Sequence, residues 1–307
     1  MWRTVVISSG EKVTVRDNWL VVTAAGKENS VPIGDLYSVV IDNQETLFST
    51  AVMTELTGAG VHVIFCDRKH LPAADAVPLN IHHQPLPVVT FQLNASRQFK
   101  DELWQKIIRQ KILNQSLCLR FANVRTEKAE QLEFFASEVV VGDKKNRESI
   151  AAKLYFPSLF GAGFRRSDDD ITNAALNYGY SIIRSGIAKT LVGYGFNSLL
   201  GIHHIGAGNY FNLADDLIEP FRPLVDLWTD TNCDNLFGTL TKQNRNELIG
   251  VMNYPMIFDG KKMRVRYIID RYVSSLSSAF LKKDASLLKV PELMRLDDFF
   301  EDDLDDQ

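Results

Sequence analysis

From Thr4 to Cys66 short apolar runs rich in β-branched residues alternate with polar turn clusters, the pattern of short strands. The segments TVVIS, KVTVR, WLVVT, YSVVI and VHVIFC read as short strands, separated by the turn clusters SSGE, RDN and AAGKENS. The stretch 49–59, STAVMTELTGA, interrupts the alternation with apolar residues at helical spacing and a glycine near its end. It predicts one helix among the strands. Residues 70–87, HLPAADAVPLNIHHQPLP, hold four of the chain's ten prolines. Proline removes a backbone donor and fixes φ, so this stretch predicts a linker with neither helix nor ladder.

After residue 94 the apolar period becomes helical. In ASRQFKDELWQKIIRQKILNQSLCLRF, the residues Phe99, Leu103, Trp104, Ile107, Ile108, Ile112 and Leu113 form one stripe with Lys and Arg opposite. That is a long amphipathic helix. Further helices are expected near 125–139, 147–159, 171–193, 212–219, 233–251 and 262–283, and no internal repeat is visible. The fold class is α+β: a small β-rich N-terminal domain over 1–72, a Pro-rich linker over 73–94, a larger all-α domain over 95–296, and an acidic tail over 297–307.

At 307 residues and 45% hydrophobic composition the chain has room for about two domains with real cores. The three cysteines, Cys66, Cys118 and Cys233, are odd in number and far apart, in neither a zinc nor a C-x-x-C spacing. A reduced, cytoplasmic protein is expected. No signal-like apolar segment opens the chain and no run is long enough to cross a bilayer, so neither export nor a membrane role is expected. The formal charge of −4 argues against a nucleic-acid partner until its distribution is considered. Seven acids follow Arg295, and setting them aside leaves +3. A mildly basic body with a solvated acidic end keeps DNA binding open.

Candidate chemistry gathers in LADDLIEPF, where Asp216 and Glu219 stand three apart on a short helix stopped by Pro220. Neighbours at i and i+3 can converge on one cation. The competing reading has Asp215 and Asp216 capping the helix and Glu219 solvated. His204 precedes them in a glycine-containing loop, IGAGNYFN following it. An imidazole and carboxylate set without thiolate suits Mn²⁺ and tolerates Mg²⁺, with hydrolysis or phosphoryl transfer as the chemistry. Glu148, in KKNRESIAAKLYF, is the candidate third carboxylate. It opens a helix behind Lys144, Lys145 and Arg147, although an acid in a first turn also simply complements the helix dipole. His82 and His83, in the Pro-rich stretch, read as polar surface, since no carboxylate or cysteine lies at ligand spacing.

Three segments in order, NRESIAAKLYFPSLFG, NAALNYGYSIIRSGI and GIHHIGAGNYFNLADDLIEPFRPLVD, resemble the CRISPR-associated integrase family known as Cas-one. The N-terminal GVHVIFCDRKHLP resembles it less specifically. Length and the DDLIEPFRPLVD form look most like members from type II systems. The resemblance implies a metal-dependent DNA endonuclease and integrase that inserts captured fragments as new spacers into a CRISPR array. A free three-prime hydroxyl would attack a phosphodiester by transesterification, with Mg²⁺ or Mn²⁺ as cofactor. It implies that Glu148, His204 and Glu219 are catalytic metal ligands and that Asp216 is a further acid of the metal site. His203 would touch DNA or pack. The implied partners are DNA, a second copy in a homodimer, and the Cas-two protein, with other adaptation proteins of the same system conceivable.

One phosphodiester replaces another in this reaction, so no nucleotide is needed, and no phosphate-binding G-x-x-x-x-G-K-[ST] loop is present. DNA contacts are expected from Lys144, Lys145, Arg147, Arg165, Arg166 and Arg222, from the bases of GKKMRVR, and by stacking from Tyr178. Two readings compete: a stand-alone metal nuclease on branched DNA or RNA, and a non-catalytic DNA-binding assembly module.

Overall fold

The computed structural model describes residues 3–9, 12–76, 85–124 and 126–296. His82, His83 and the tail 297–307 lie outside the described residues. The chain divides into two compact units, Met1–His83 and Gln84–Gln307.

The first unit contains β1 (Arg3–Ile7), β2 (Lys12–Arg16), β3 (Trp19–Ala24), β4 (Lys27–Pro32), β5 (Leu36–Ile41), β6 (Leu47–Phe48), α1 (Thr50–Gly58), β7 (His62–Cys66) and β8 (Pro72–Ala76). They form two four-stranded sheets, ordered β1-β5-β7-β8 and β4-β3-β2-β6. The first sheet is parallel except for the β7–β8 pair. Ile7, Val13, Leu20, Leu36, Val39 and Val63 from both sheets share one core with Val52 and Leu56 of α1. The β2–β3 turn places Asp17 and Asn18 at positive φ, which matches the right-handed twist of the flanking strands. Strand β4, KENSVP, falls partly within a segment expected as a turn. Its first four residues are exposed, so an edge strand here needs no apolar alternation, and the pattern gives no sign of it.

The second unit contains α2 (Pro85–Leu93), α3 (Arg97–Phe121), α4 (Thr126–Ser137), α5 (Arg147–Phe160), α6 (Ile171–Gly193), α7 (Asn212–Ile218), α8 (Arg222–Thr231), α9 (Lys242–Ile249), β9 (Pro255–Phe258), β10 (Lys261–Arg264) and α10 (Val265–Lys282). It is mostly helical but not all-α, because β9 and β10 pair as an antiparallel hairpin. Its turn residues, Asp259 and Gly260, both have positive φ. The Pro-rich stretch also differs from expectation, since it carries β8 and α2. Pro85 and Pro87 occupy the first turn of α2, where backbone N–H groups have no intrahelical acceptor and their loss costs little. The helix expected over 233–251 contracts to α9, behind a capping box in which Thr241 Oγ1 accepts the Asn244 N–H. Among the described residues no helix is long and apolar enough to cross a membrane.

Helix α3 organises this unit. Ser96 caps it by accepting the Phe99 N–H at 3.2 Å, and Leu103, Ile107, Ile108 and Ile112 are fully buried. Lys111, Asn114, Gln115 and Ser116 are buried as well, so α3 presents a second, polar buried face. Asn114 Nδ2 donates to the carbonyls of Pro220 at 2.7 Å and Pro291 at 3.0 Å, while its Oδ1 accepts the Leu293 N–H. This holds the turn after α7 directly against α3.

Candidate functional site

Helix α5 positions Glu148. Asn146 takes a left-handed conformation just before the helix, and Asp143 caps it, accepting the N–H groups of Arg147 at 2.9 Å and Glu148 at 3.0 Å. Asp143, not Glu148, therefore satisfies the helix terminus. The Glu148 side chain instead accepts from Lys111 Nζ at 2.6 Å.

Glu219 stands in a 3₁₀ turn (Glu219–Phe221) joining α7 to α8, so Pro220 marks a joint between helices rather than a stop. Glu219 is buried, its Oε1 receives Arg222 Nε at 2.9 Å, and its Oε2 faces Lys111 Nζ. Two carboxylates from separate elements thus share one ammonium. Burial would raise the Glu219 carboxyl, but Arg222 and then Lys111 overcome it and hold the pKa down at about 2. Burial likewise opposes the charge on Lys111, and Glu219 and Glu148 outweigh it, so its pKa stays above the ordinary value. The reading of Glu219 as a solvated residue is thereby excluded.

Asp216 does not converge with Glu219. It is completely buried and faces the loop before α7. Its Oδ2 accepts the N–H groups of Ile202 at 2.5 Å and His203 at 3.1 Å, and its Oδ1 accepts the His204 N–H at 3.0 Å and His204 Nδ1 at 2.8 Å. The expected metal-site role of Asp216 is corrected accordingly: both oxygens are committed to holding the histidine loop. The bond from Asp216, and then its charge, raise the His204 pKa against burial. An ionised carboxylate only accepts, so His204 carries a proton on Nδ1, and Nε2 takes no part in that bond. A carboxylate behind an imidazole in this way fixes the ring for a ligand on its other nitrogen.

The loop is fastened from several sides. Gln92 of α2 donates to the Asn197 carbonyl at 3.1 Å and accepts the Asn197 N–H at 2.8 Å. Asn212 Nδ2 donates to the carbonyls of Leu199 and Gly206, each at 3.1 Å. A Cβ at Gly201 would lie 2.1 Å from the His204 carbonyl oxygen and 2.9 Å from Asp216 Oδ2, so only glycine lets the loop close on the carboxylate. His203 packs, its ring stacked on Trp104 at 4.2 Å, and the same indole meets His204 edge-on at 5.8 Å.

Among the described residues no three His, Cys, Asp or Glu side chains form a ready metal cage. The reason is visible in the contacts: Asp216 is turned to the loop, and Lys111 stands between Glu148 and Glu219. The donor chemistry nevertheless fits a divalent cation. Two carboxylates already share one cation, and the His204 ring is braced from behind. Its side chains open toward solvent at Glu148, 30% exposed, and at His204, 42% exposed.

The expected DNA contacts divide into free and committed bases. Lys144 and Arg165 are exposed, and exposed Lys145 makes only a 3.9 Å approach to Glu138. Arg147 pairs with Glu138 at 2.5 Å and lies over Phe135. Arg166 bonds Asn173 and Asn177 and lies over Tyr180. Arg222, bound to Glu219, covers the Tyr180 ring at 4.6 Å. Tyr178, expected to stack on DNA, is buried in the helical core, so that expectation is corrected. Arg266 of the GKKMRVR cluster is buried too, bonded to Asn253.

Behind the site, Asp226 is buried and accepts from Tyr155 at 2.8 Å and from Tyr180. Burial pushes its carboxyl up to about 6, against the pull of those two hydroxyls and of Arg222. The spacing between LNYGY and the acidic motif gives no hint of this network. Lys111 was equally hidden, because on the helical pattern it belongs to the cationic face of α3.

Residues 4–233 match the family described as CRISPR associated protein Cas1. A CRISPR-associated endonuclease Cas1 from Neisseria meningitidis serogroup C is 37% identical over 97% of this chain and 98% of its own length. One from Francisella tularensis subsp. novicida is 26% identical, covering 85% of this chain and 90% of its own. In fold, the chain is similar to a casposase bound to an integration product, with a TM-score of 0.75, 18% identity and coverage of 92% and 91%. A Cas1 protein from Thermotoga maritima gives 0.73 at 12% identity, with coverage of 91% and 97%. With the family matched over residues 4–233 and a relative 37% identical over 97% of the sequence, this chain belongs to the CRISPR-associated Cas1 family.

Proposed function

We propose that this protein joins captured DNA fragments into a CRISPR array as new spacers, by metal-dependent transesterification at a site built from Glu148, His204 and Glu219. The observation that carries the reading is the meeting of Glu148 and Glu219, from separate elements, on a single cation, with the Glu219 charge also reaching the braced His204. The cation-binding groups would be the two carboxylates and His204 Nε2. A divalent Mg²⁺ or Mn²⁺ ion held there supplies neutralisation of the scissile phosphate and of the leaving oxygen.

The protein's own groups do the remaining work. Asp216 keeps His204 in one tautomer and one orientation. Arg222 restrains Glu219 and adds positive charge beside the phosphate path. Exposed Lys144, Lys145 and Arg165 grip the backbone without reading sequence. Action as a homodimer together with a Cas2 protein, in a type II system, belongs to the same proposal. The Cas2 partnership is supported by the likeness in fold to a chain of a Cas6–RT–Cas1–Cas2 complex, TM-score 0.73 at 17% identity.

The test is incubation of a labelled fragment bearing free three-prime ends with a supercoiled array plasmid, the protein and Mg²⁺ or Mn²⁺. Glu148→Ala, His204→Ala and Glu219→Ala are expected to abolish joining while keeping the helical circular dichroism. Joining at the wild-type rate by any of them removes that residue from the site. Cutting of the plasmid without joining would favour a stand-alone nuclease, in keeping with the endonuclease name of the relatives.

A further inference from the structure

The buried ammonium of Lys111 is a feature that the proposed reaction leaves without a task. Its Nζ lies 2.6 Å from Glu148 Oε1 and against Glu219 Oε2, on a side chain only 11% exposed. The placement is built rather than incidental. Asn114, one helical turn further along α3, clamps the Pro220 carbonyl and so brings Glu219 to the level of Lys111. Asp143 sets the start of α5 and thus the direction from which Glu148 arrives.

Two carboxylates brought this close repel unless a cation lies between them. With Arg222 on the outer oxygen of Glu219, the four groups sum to zero charge: Lys111 and Arg222 against Glu148 and Glu219. A divalent ion added to this set would leave two uncompensated positive charges and would need the same carboxylate oxygens that Lys111 now holds. A lysine ammonium is a compact point charge on a flexible stem and can withdraw where an arginine fork could not.

We propose that Lys111 is the resident counter-cation of the carboxylate pair and that it competes with the divalent ion for Glu148 and Glu219, so that metal entry displaces the Lys111 ammonium. The proposal rests on the reading of these two acids as metal ligands. In it Lys111 is a positioning residue: it keeps the two acids facing each other until the ion arrives.

Calorimetric titration of Mn²⁺ into the full-length wild-type protein, Lys111→Met, Lys111→Arg and Glu219→Gln tests this. Measurable heat in the wild type that disappears in Glu219→Gln supports the underlying site. Lys111→Met is then expected to bind Mn²⁺ at least tenfold more tightly, and Lys111→Arg, whose fork does not withdraw, at least about threefold more weakly than wild type. Equal or weaker binding by Lys111→Met overturns the competition while leaving the metal site intact. Absence of heat in every variant, Lys111→Met included, overturns both.

Should Lys111→Met fail to fold, the wild-type protein answers alone. Acetylation of Lys111 by an amine-specific reagent, followed by mass spectrometry of its peptide, is expected to accelerate several-fold when Mn²⁺ is added. An unchanged or slower rate at a Mn²⁺ concentration that saturates the calorimetric signal refutes displacement.

Discussion

Asp216→Asn distinguishes a residue that holds the histidine loop from one that binds the proposed metal ion. The native carboxylate accepts four hydrogen bonds, three from the backbone at 202–204 and one from His204 Nδ1. Asparagine offers one accepting oxygen and turns an amide N–H₂ toward the remaining donors. Two buried donors are therefore left facing another donor, at about 1–3 kcal/mol each. A loss of about 2–5 kcal/mol is expected, large against a total stability on the order of 10 kcal/mol. For a slope near 2 kcal/mol per molar urea, the midpoint falls by about 1–2.5 M. Far-UV circular dichroism at 222 nm is the suitable probe, because it follows the helical unit that contains this loop. Strand transfer falls with it, since His204 loses the bond that orients its ring. A variant with a wild-type urea midpoint that no longer binds Mn²⁺ would place Asp216 among the ligands and refute the loop-holding role.

Asp226 makes the stability of the helical unit depend on pH. Its folded carboxyl titrates at about 6, above the ordinary value near 3.9, so the native state keeps a proton that the unfolded chain has released. Stability from this group is full below about pH 4 and is lost as pH rises toward 6, by about 3 kcal/mol. Asp226→Asn should lack that fall, and urea midpoints at pH 4.5 and 6.5 that change equally in both proteins would refute the assignment. Glu219 acts in another window: with its folded pKa near 2, its contribution persists above about 4.5 and disappears only as pH falls through 2. Replacing exposed Lys144 and Lys145 together with Ala should weaken DNA binding at low salt and flatten the log affinity against log salt plot by about 2 units, with no change in urea midpoint. An unaltered slope measured by fluorescence anisotropy would remove both from the DNA path.

What could be read along the chain was whatever is local. Short β-branched apolar runs marked β1, β2, β3, β5 and β7, and the apolar stripe of α3 marked a helix whose apolar residues, apart from half-buried Leu113, are buried. The pattern failed where burial is weak or polar. Strand β4 lies exposed at a sheet edge, α2 begins on prolines, and the β9–β10 hairpin is too short to show a period. The ordered motifs around Glu148, His204 and Glu219 pointed to the family, because residue types that chemistry requires recur at spacings that short loops and helices preserve.

Sequence by itself therefore determined the two-part organisation, the family and the three candidate ligands. Only the tertiary structure decided how those side chains are held. It turned Asp216 away from Glu219 toward the histidine loop, buried Tyr178, committed Arg166 and Arg222 to internal partners, and set Lys111 between two carboxylates. The physical reason is that a side chain's charge state and partners depend on what is packed against it from distant elements. On a helical pattern a lysine that meets water and a lysine that meets two buried acids occupy the same position, and only the approach of α5 and the α7–α8 turn to α3 tells them apart.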